Sequence, residues 1–288
     1  MIGLSMLVRD EADTVRDAIL QAAPVVGHVT VVDTGSEDGT AEIVRDVLRE
    51  IPGTLHEREW RGFGENRTEL LALSQGSADY HLMLDADHRL HVEGDQPALD
   101  ADAYLLCVRG PLEWRLPLLT RDGHPFQYRG AAHSYLSSDA PTRSEPLDWL
   151  SIDGGPGATR DKLERDLQLL RQEHLDDPTN RRTVFYLAQT YRDLDMPDQA
   201  IWFYRLRAEM GGWAEEVYCA RYELGCLLSQ HVSFAQGADQ LLKAWRDRPG
   251  RVEALRALAN AANAVADKAP KPADVLFVRP DAYRQEAA

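Results

Sequence analysis

Three apolar runs set the terms for this chain: Ile2 to Val8, His28 to Val32, and His81 to Leu84. Each has the length and composition of a buried strand. Between them lie segments with helical apolar spacing: Ala12 to Ala23 (Val15, Ala18, Ile19, Ala22), Thr40 to Arg49, and Asn66 to Ser74. Thr40 is expected to cap its helix, Pro52-Gly53 to break it, and Thr54 to Glu57 to form a further short strand. A β-α-β-α-β alternation predicts a parallel sheet wrapped by helices. In such sheets, ligands bind beyond the carboxyl ends of the strands. Acidic residues follow all three runs: Asp10 and Glu11, then Asp33, then Asp85 and Asp87.

The third run carries the sharpest chemistry. Side chains alternate along a strand, so Asp85 and Asp87 would leave its end on one face. Two like charges held together cost energy unless a cation joins them. A divalent ion carrying a phosphate meets that need, because hard cations prefer carboxylate oxygen. Alone, an Asp-x-Asp is common in turns and caps. Its weight comes from the other acidic residues expected at the same sheet edge. Asp38, ahead of Gly39, reads instead as a turn former.

The 288 residues suit one large or two modest domains. A formal net charge of −15 argues against broad binding to nucleic acid or to anionic membranes. Cys107, Cys219 and Cys226 are odd in number and lack metal-like spacing, so they read as buried free thiols in a reducing compartment. Met1 to Val8 runs directly into Arg9-Asp10-Glu11, unlike a secretory leader, and no stretch nears the roughly 18 apolar residues of a membrane span. These features predict a cytoplasmic protein without a membrane span.

From Ala103 the strands shorten: Tyr104 to Val108, Leu112 to Leu119, and Phe126 to Tyr128. Asp153-Gly154-Gly155-Pro156-Gly157 reads as a flexible connector. Beyond it the chain is nearly all helical, and it repeats. Leu187-Ala188-x-x-Tyr191 with Ala200 and Tyr204 is followed 37 residues later by Leu224-Gly225-x-x-Leu228 with Gly237, Leu241 and Ala244. Leu258-Ala259-x-x-Ala262 opens a third unit 34 residues further on, and Leu163 to Leu175 reads as the second helix of an earlier, incomplete one. Small residues let paired helices approach while the large ones fill the gap, the pattern of tetratricopeptide helix pairs. Ala269-Pro270-Lys271-Pro272 marks a tail without periodicity.

Six stretches together resemble glycosyltransferase family 2, in the subgroup with C-terminal tetratricopeptide repeats. They are Leu4 to Glu11, Val31 to Thr40, Phe63 to Arg67, Leu82 to Leu90, Tyr128 to Leu136, and Lys162 to Glu216. The resemblance implies an α/β GT-A domain, Rossmann-like and mainly parallel, over residues 1–155. A tetratricopeptide-like helical domain over 156–268 and a tail over 269–288 complete the expected organisation. The implied activity is inverting, metal-dependent transfer of a sugar from a nucleotide-diphosphate donor, a UDP-sugar, to a peptide, glycan or other small acceptor. By motif position, Asp33 resembles the base-binding residue, Glu11 an acidic lining of the nucleotide pocket, and Asp85 the ribose or metal-side contact. Asp87 resembles the ligand of Mn²⁺ or Mg²⁺, and His133 a further ligand.

Arg67 matches a family arginine suited to diphosphate recognition, although Thr68 replaces the asparagine that follows it. Lys162 and Arg165, just past the connector, are placed to fold over the phosphates. Ser134 stands where the family often has glutamate; if that glutamate serves as base, this chain must use another group, for which Glu113, Asp122 and Asp153 are the candidates. The helical domain is expected to bind an acceptor or to join two copies into a homodimer. The alternative is a non-catalytic scaffold in which a degenerate transferase domain supports a protein-binding repeat module. A nucleotidyltransferase would need a glycine-rich, lysine-containing phosphate loop where Arg9-Asp10-Glu11 stands.

Overall fold

The computed structural model describes residues 1–110, 112–154 and 159–267. The chain forms two compact units, residues 1–158 and 159–288. The first begins β1 (Ile2–Val8), α1 (Val15–Ala22), β2 (His28–Asp33), α2 (Thr40–Val47), β3 (Gly53–Glu57), α3 (Phe63–Ser74) and β4 (Tyr80–Met83). It continues with β5 (Arg89–Val92), β6 (Ala103–Arg109), β7 (Trp114–Arg121), β8 (Phe126–Arg129), β9 (Tyr135–Ser138) and β10 (Ser144–Asp153).

Eight strands form one sheet in the order β3-β2-β1-β4-β7-β6-β10-β5, and β8 pairs with β9 as a separate hairpin. Strands β3, β2, β1 and β4 are parallel, as the alternation predicts. The sheet as a whole is mixed. Strand β7 runs antiparallel to both β4 and β6, and β5 antiparallel to β10. Strands β1, β2, β4, β6 and β10 therefore all end at one edge. The predominantly apolar character of β1 and β4 follows from burial on both sheet faces. Leu4, Met6, Val29, Val31, Leu82, Leu106 and Ile152 belong to the main core, while Val32, Leu70, Met83 and Tyr128 form a smaller core under α3.

Several local expectations change. Gly39, at φ +95°, is the residue before α2, and Thr40 is its first helical residue. The Thr40 hydroxyl accepts the Glu11 N–H at 2.8 Å. Strand β10 replaces part of the expected connector, and Asp153 is its last residue. The remaining connector residues 155–158 and the tail 269–288 lie outside the described residues.

The second unit comprises α4 (Arg160–Asp176), α5 (Arg181–Asp193), α6 (Pro197–Glu209), α7 (Ala214–His231), α8 (Phe234–Asp247) and α9 (Glu253–Ala266). Each helix packs on the next in chain order, the arrangement of a tetratricopeptide-like stack. The small residues work as the repeat predicts. A Cβ on Gly237 would stand 2.6 Å from the Gly225 carbonyl oxygen, so α7 and α8 meet backbone to backbone. Between α6 and α7, the fully buried Arg207 donates to Glu216 through Nε at 2.9 Å and Nη2 at 2.7 Å. Its Nη1 donates to the Gly211 carbonyl at 2.8 Å. All three cysteines are free and only partly buried. No described helix is long and apolar enough to cross a membrane.

Candidate nucleotide and metal site

The site is built where the parallel strands end. Asp33 is the ladder partner of Val8, and Ser5 is the partner of Met83. Asp33 therefore stands three residues past the Ser5–Met83 pair, beyond the level at which β4 ends. Strand β1 lies between β2 and β4, so the two strand ends are two strand spacings apart, about 10 Å.

Two loops form one end of the site by mutual bonding. The Asp10 N–H donates to Ser36 Oγ at 2.9 Å, and the Glu37 N–H donates back to Asp10 Oδ1 at 2.8 Å. Asp38 Oδ2 accepts the Ala12 N–H at 2.9 Å. The Thr40 hydroxyl, and then the Ala12 N–H, hold the Asp38 carboxyl below the usual carboxylate range. Asp38 is thus structural, as its place before Gly39 predicts. Glu11 accepts the Thr14 hydroxyl at 2.8 Å through Oε2.

Asp33 differs from these. Its Oδ1 accepts the Gly35 and Ser36 N–H groups, both at 2.8 Å, which fixes the carboxylate. Its Oδ2 is buried and has no hydrogen-bond partner among the described residues. A buried acceptor left open carries a desolvation cost that a donor from a guest removes.

At the other end, strand alternation is not what gathers the carboxylates. Strand β4 stops at Met83, and the chain turns at Asp85–His88, where the His88 N–H donates to the Asp85 carbonyl at 3.1 Å. The turn brings ligand atoms of Asp85, Asp87 and His88 within 4.8 Å of one another. Asp87 is exposed, while Asp85 and His88 are half-buried. Two carboxylates and an imidazole suit a hard or borderline divalent ion. His133, the histidine expected from the sequence, is not in this group; it sits at φ +51° before β9. His88 was missed, and its only signal is its place directly after the Asp-x-Asp.

Arg67, on α3, reaches the same turn. Its Nη2 donates to Asp85 Oδ1 at 2.6 Å and Oδ2 at 2.8 Å, and its Nη1 donates to Ser134 Oγ at 3.0 Å. The guanidinium lies 5.6 Å from the Phe63 ring centre, one helical turn back, and 5.8 Å from that of Tyr128. Burial pulls its pKa down, but Asp85, Tyr128 and Asp87 outweigh that, and the net shift is upward. Burial pushes the Tyr128 phenol up to about 12, so it stays neutral. Thr68 also has a built role: its hydroxyl accepts the Tyr128 N–H at 2.8 Å and donates to the Gly64 carbonyl at 2.8 Å.

The three expected bases separate by topology. Asp153 closes β10 at the site edge, in ladder register with Arg89, the residue after His88. Its Oδ2 lies 2.8 Å from His91 Nε2. Glu113 is exposed between β6 and β7, at the same edge. Asp122 does not belong with them. Because β7 is antiparallel, Asp122 lies at the opposite edge, where it bonds His81 Nε2 at 2.9 Å and the Gly76 N–H at 3.2 Å. Lys162 belongs to the second unit, in the first turn of α4, with its N–H on the Thr159 hydroxyl at 3.3 Å. Arg165 follows on the same helix, 3.9 Å from Asp166.

Residues 7–101 match the model of Glycosyl transferase family 2, a stretch that contains Asp33, Arg67 and the Asp85–His88 turn. Among solved structures, "MamA MSR-1 C2" is 24% identical over 36% of this chain and 57% of its own, with a TM-score of 0.33. "Crystal structure of MamA protein" is 16% identical over 35% of this chain and 54% of its own, with a TM-score of 0.33. "First TPR of Spaghetti (RPAP3) bound to HSP90 peptide SRMEEVD" is 16% identical over 37% of this chain and 82% of its own, with a TM-score of 0.34. The chain thus spans little more than half the length of the MamA structures it matches.

Proposed function

We propose that the first unit is an inverting, metal-dependent glycosyltransferase domain that uses a UDP-sugar and passes the sugar to a peptide, glycan or other small acceptor. The observation that carries this reading is one sheet edge with an open, buried carboxylate oxygen at Asp33 and a three-ligand turn at Asp85–His88. The match over residues 7–101 supports the same reading. Asp33 Oδ2 takes an N–H of the base, and Glu11 lines the pocket. Asp85, Asp87 and His88 would hold Mn²⁺ or Mg²⁺, which when bound stabilises charge on the leaving diphosphate. Arg67 supplies a fork of donors to the same oxygens.

Inversion needs one carboxylate on the acceptor side to take the nucleophile's proton. Asp153 is the better placed for this, with Glu113 second. His133 is assigned as a further metal ligand, and Lys162, with Arg165, to folding over the phosphates. The helical unit is assigned to holding an acceptor or a second copy of the chain, and the setting to the cytoplasm. A degenerate scaffold is disfavoured because Thr68 and Ser134, the departures from the family pattern, both make built contacts at the site.

The test is release of nucleoside diphosphate from UDP-, GDP- and TDP-sugars with and without Mn²⁺, with Asp87→Asn as control. Metal-dependent release from the UDP-sugar, lost in the variant, is expected. No release, together with no metal-dependent thermal stabilisation by any diphosphate, would establish the scaffold instead.

A further inference from the structure

Asp85 already has a cation. Arg67 Nη2 bridges both of its oxygens; Arg67 is only 17% exposed and Asp85 37%, so bulk water screens the pair only from the carboxylate side. The guanidinium has capacity to spare: its Nε is buried and donates to no atom among the described residues. A divalent ion on Asp85 would stand within a few ångströms of this fixed positive charge. Two cations drawn to one carboxylate repel each other. A diphosphate relieves the conflict, because it offers the guanidinium new oxygens while the metal takes the carboxylate.

We infer that Arg67 is the counter-ion that stands in for the metal in the ligand-free site, and that a divalent ion takes Asp85 only as Arg67 passes to the diphosphate. This rests on the reading of Asp85 as a metal-side group. Metal alone then binds weakly, and metal and diphosphate strengthen each other by the same factor. The exchange also reaches a second element. When Arg67 leaves, its Nη1 releases Ser134, which adjoins His133 on the segment between β8 and β9. Donor arrival is thereby coupled to the segment that carries the further candidate ligand.

The test measures Mn²⁺ binding to the full chain by the paramagnetic resonance signal of the free ion, first without nucleotide. Arg67→Gln is expected to bind Mn²⁺ alone about tenfold or more tightly than the unaltered protein. Arg67→Lys keeps a positive charge beside Asp85 and is expected to bind as weakly as the unaltered protein. Adding UDP is expected to strengthen Mn²⁺ binding in the unaltered protein and to lose most of that effect in Arg67→Gln. Melting curves check that each variant folds. If Arg67→Gln binds Mn²⁺ no more tightly, or if Gln and Lys behave alike, the exchange is overturned, while UDP-dependent Mn²⁺ binding keeps the donor-site reading. If no form binds Mn²⁺ with or without UDP, both fall.

Discussion

His88 and the Asp85 backbone hold each other twice: the Asp85 N–H donates to His88 Nδ1 at 3.3 Å, and the His88 N–H donates to the Asp85 carbonyl at 3.1 Å. The imidazole thus braces the turn that carries both carboxylates, and it adds a nitrogen to them only on giving up the Asp85 N–H, because a neutral ring has a single accepting nitrogen. His88→Ala is expected to weaken binding of UDP with Mn²⁺ by about ten- to a hundredfold. The loss should be smaller with Mg²⁺, which relies less on nitrogen donors. Calorimetric titrations with each ion check this, and equal losses would remove His88 from the donor set.

Asp33 divides its work between its two oxygens. Because Oδ1 carries both bonds to the loop, Asp33→Asn can keep them and still fold. At the other oxygen it brings a donor where the proposed guest brings one too. UDP affinity should fall about ten- to a hundredfold, the worth of a buried unmade bond. The melting temperature should change little. Titration of UDP in the presence of Mn²⁺ reads the affinity, and an unchanged value would separate Asp33 from base recognition.

The Arg207–Glu216 pair is a stability element of the helical unit. Glu216→Ala leaves a guanidinium buried without its partner, and this should cost about 3–5 kcal/mol. Replacing both residues, Arg207→Met with Glu216→Leu, should recover most of that loss. Urea unfolding followed by helical circular dichroism tests the pair, and a double variant as unstable as the single one would contradict the account.

Stability should also depend on His28. Burial, and then the neighbouring His81, hold its imidazole below the ordinary value of 6.5. The unfolded chain therefore binds more protons than the folded one just below that value. The contribution is full above pH 6.5 and is lost as pH falls through the lowered folded pKa. His28→Gln should flatten the drop in urea midpoint between about pH 7 and about pH 5. An identical slope in the variant would assign the dependence elsewhere.

The parallel half of the sheet was readable because β1, β2 and β4 are predominantly apolar and buried and the helices between them keep their period. The repeats in α5 to α8 were readable for a related reason: close helix contact demands Ala188, Gly225 and Gly237 at fixed places. Strand β10 was hidden by Pro146, Asp148 and the irregular register between Leu147 and Ser151, which together erase a two-residue period. The grouping of Asp85 with Asp87 was readable, but its cause was not, since an i, i+2 spacing fits a turn as well as a strand. Asp122 misled because the direction of β7 is a long-range property. His88 was silent because a histidine after an acidic pair carries no pattern of its own.

If Asp33 receives the base as proposed, its open oxygen would also set how the pocket chooses. A guest that points a lone pair at it meets repulsion in a dry place, whereas one that points a hydrogen there is accepted. Discrimination of this kind works by exclusion. Under the proposed role of Asp33, it would favour bases with an imide hydrogen, such as uracil, over cytosine, whose ring nitrogen at that position is bare.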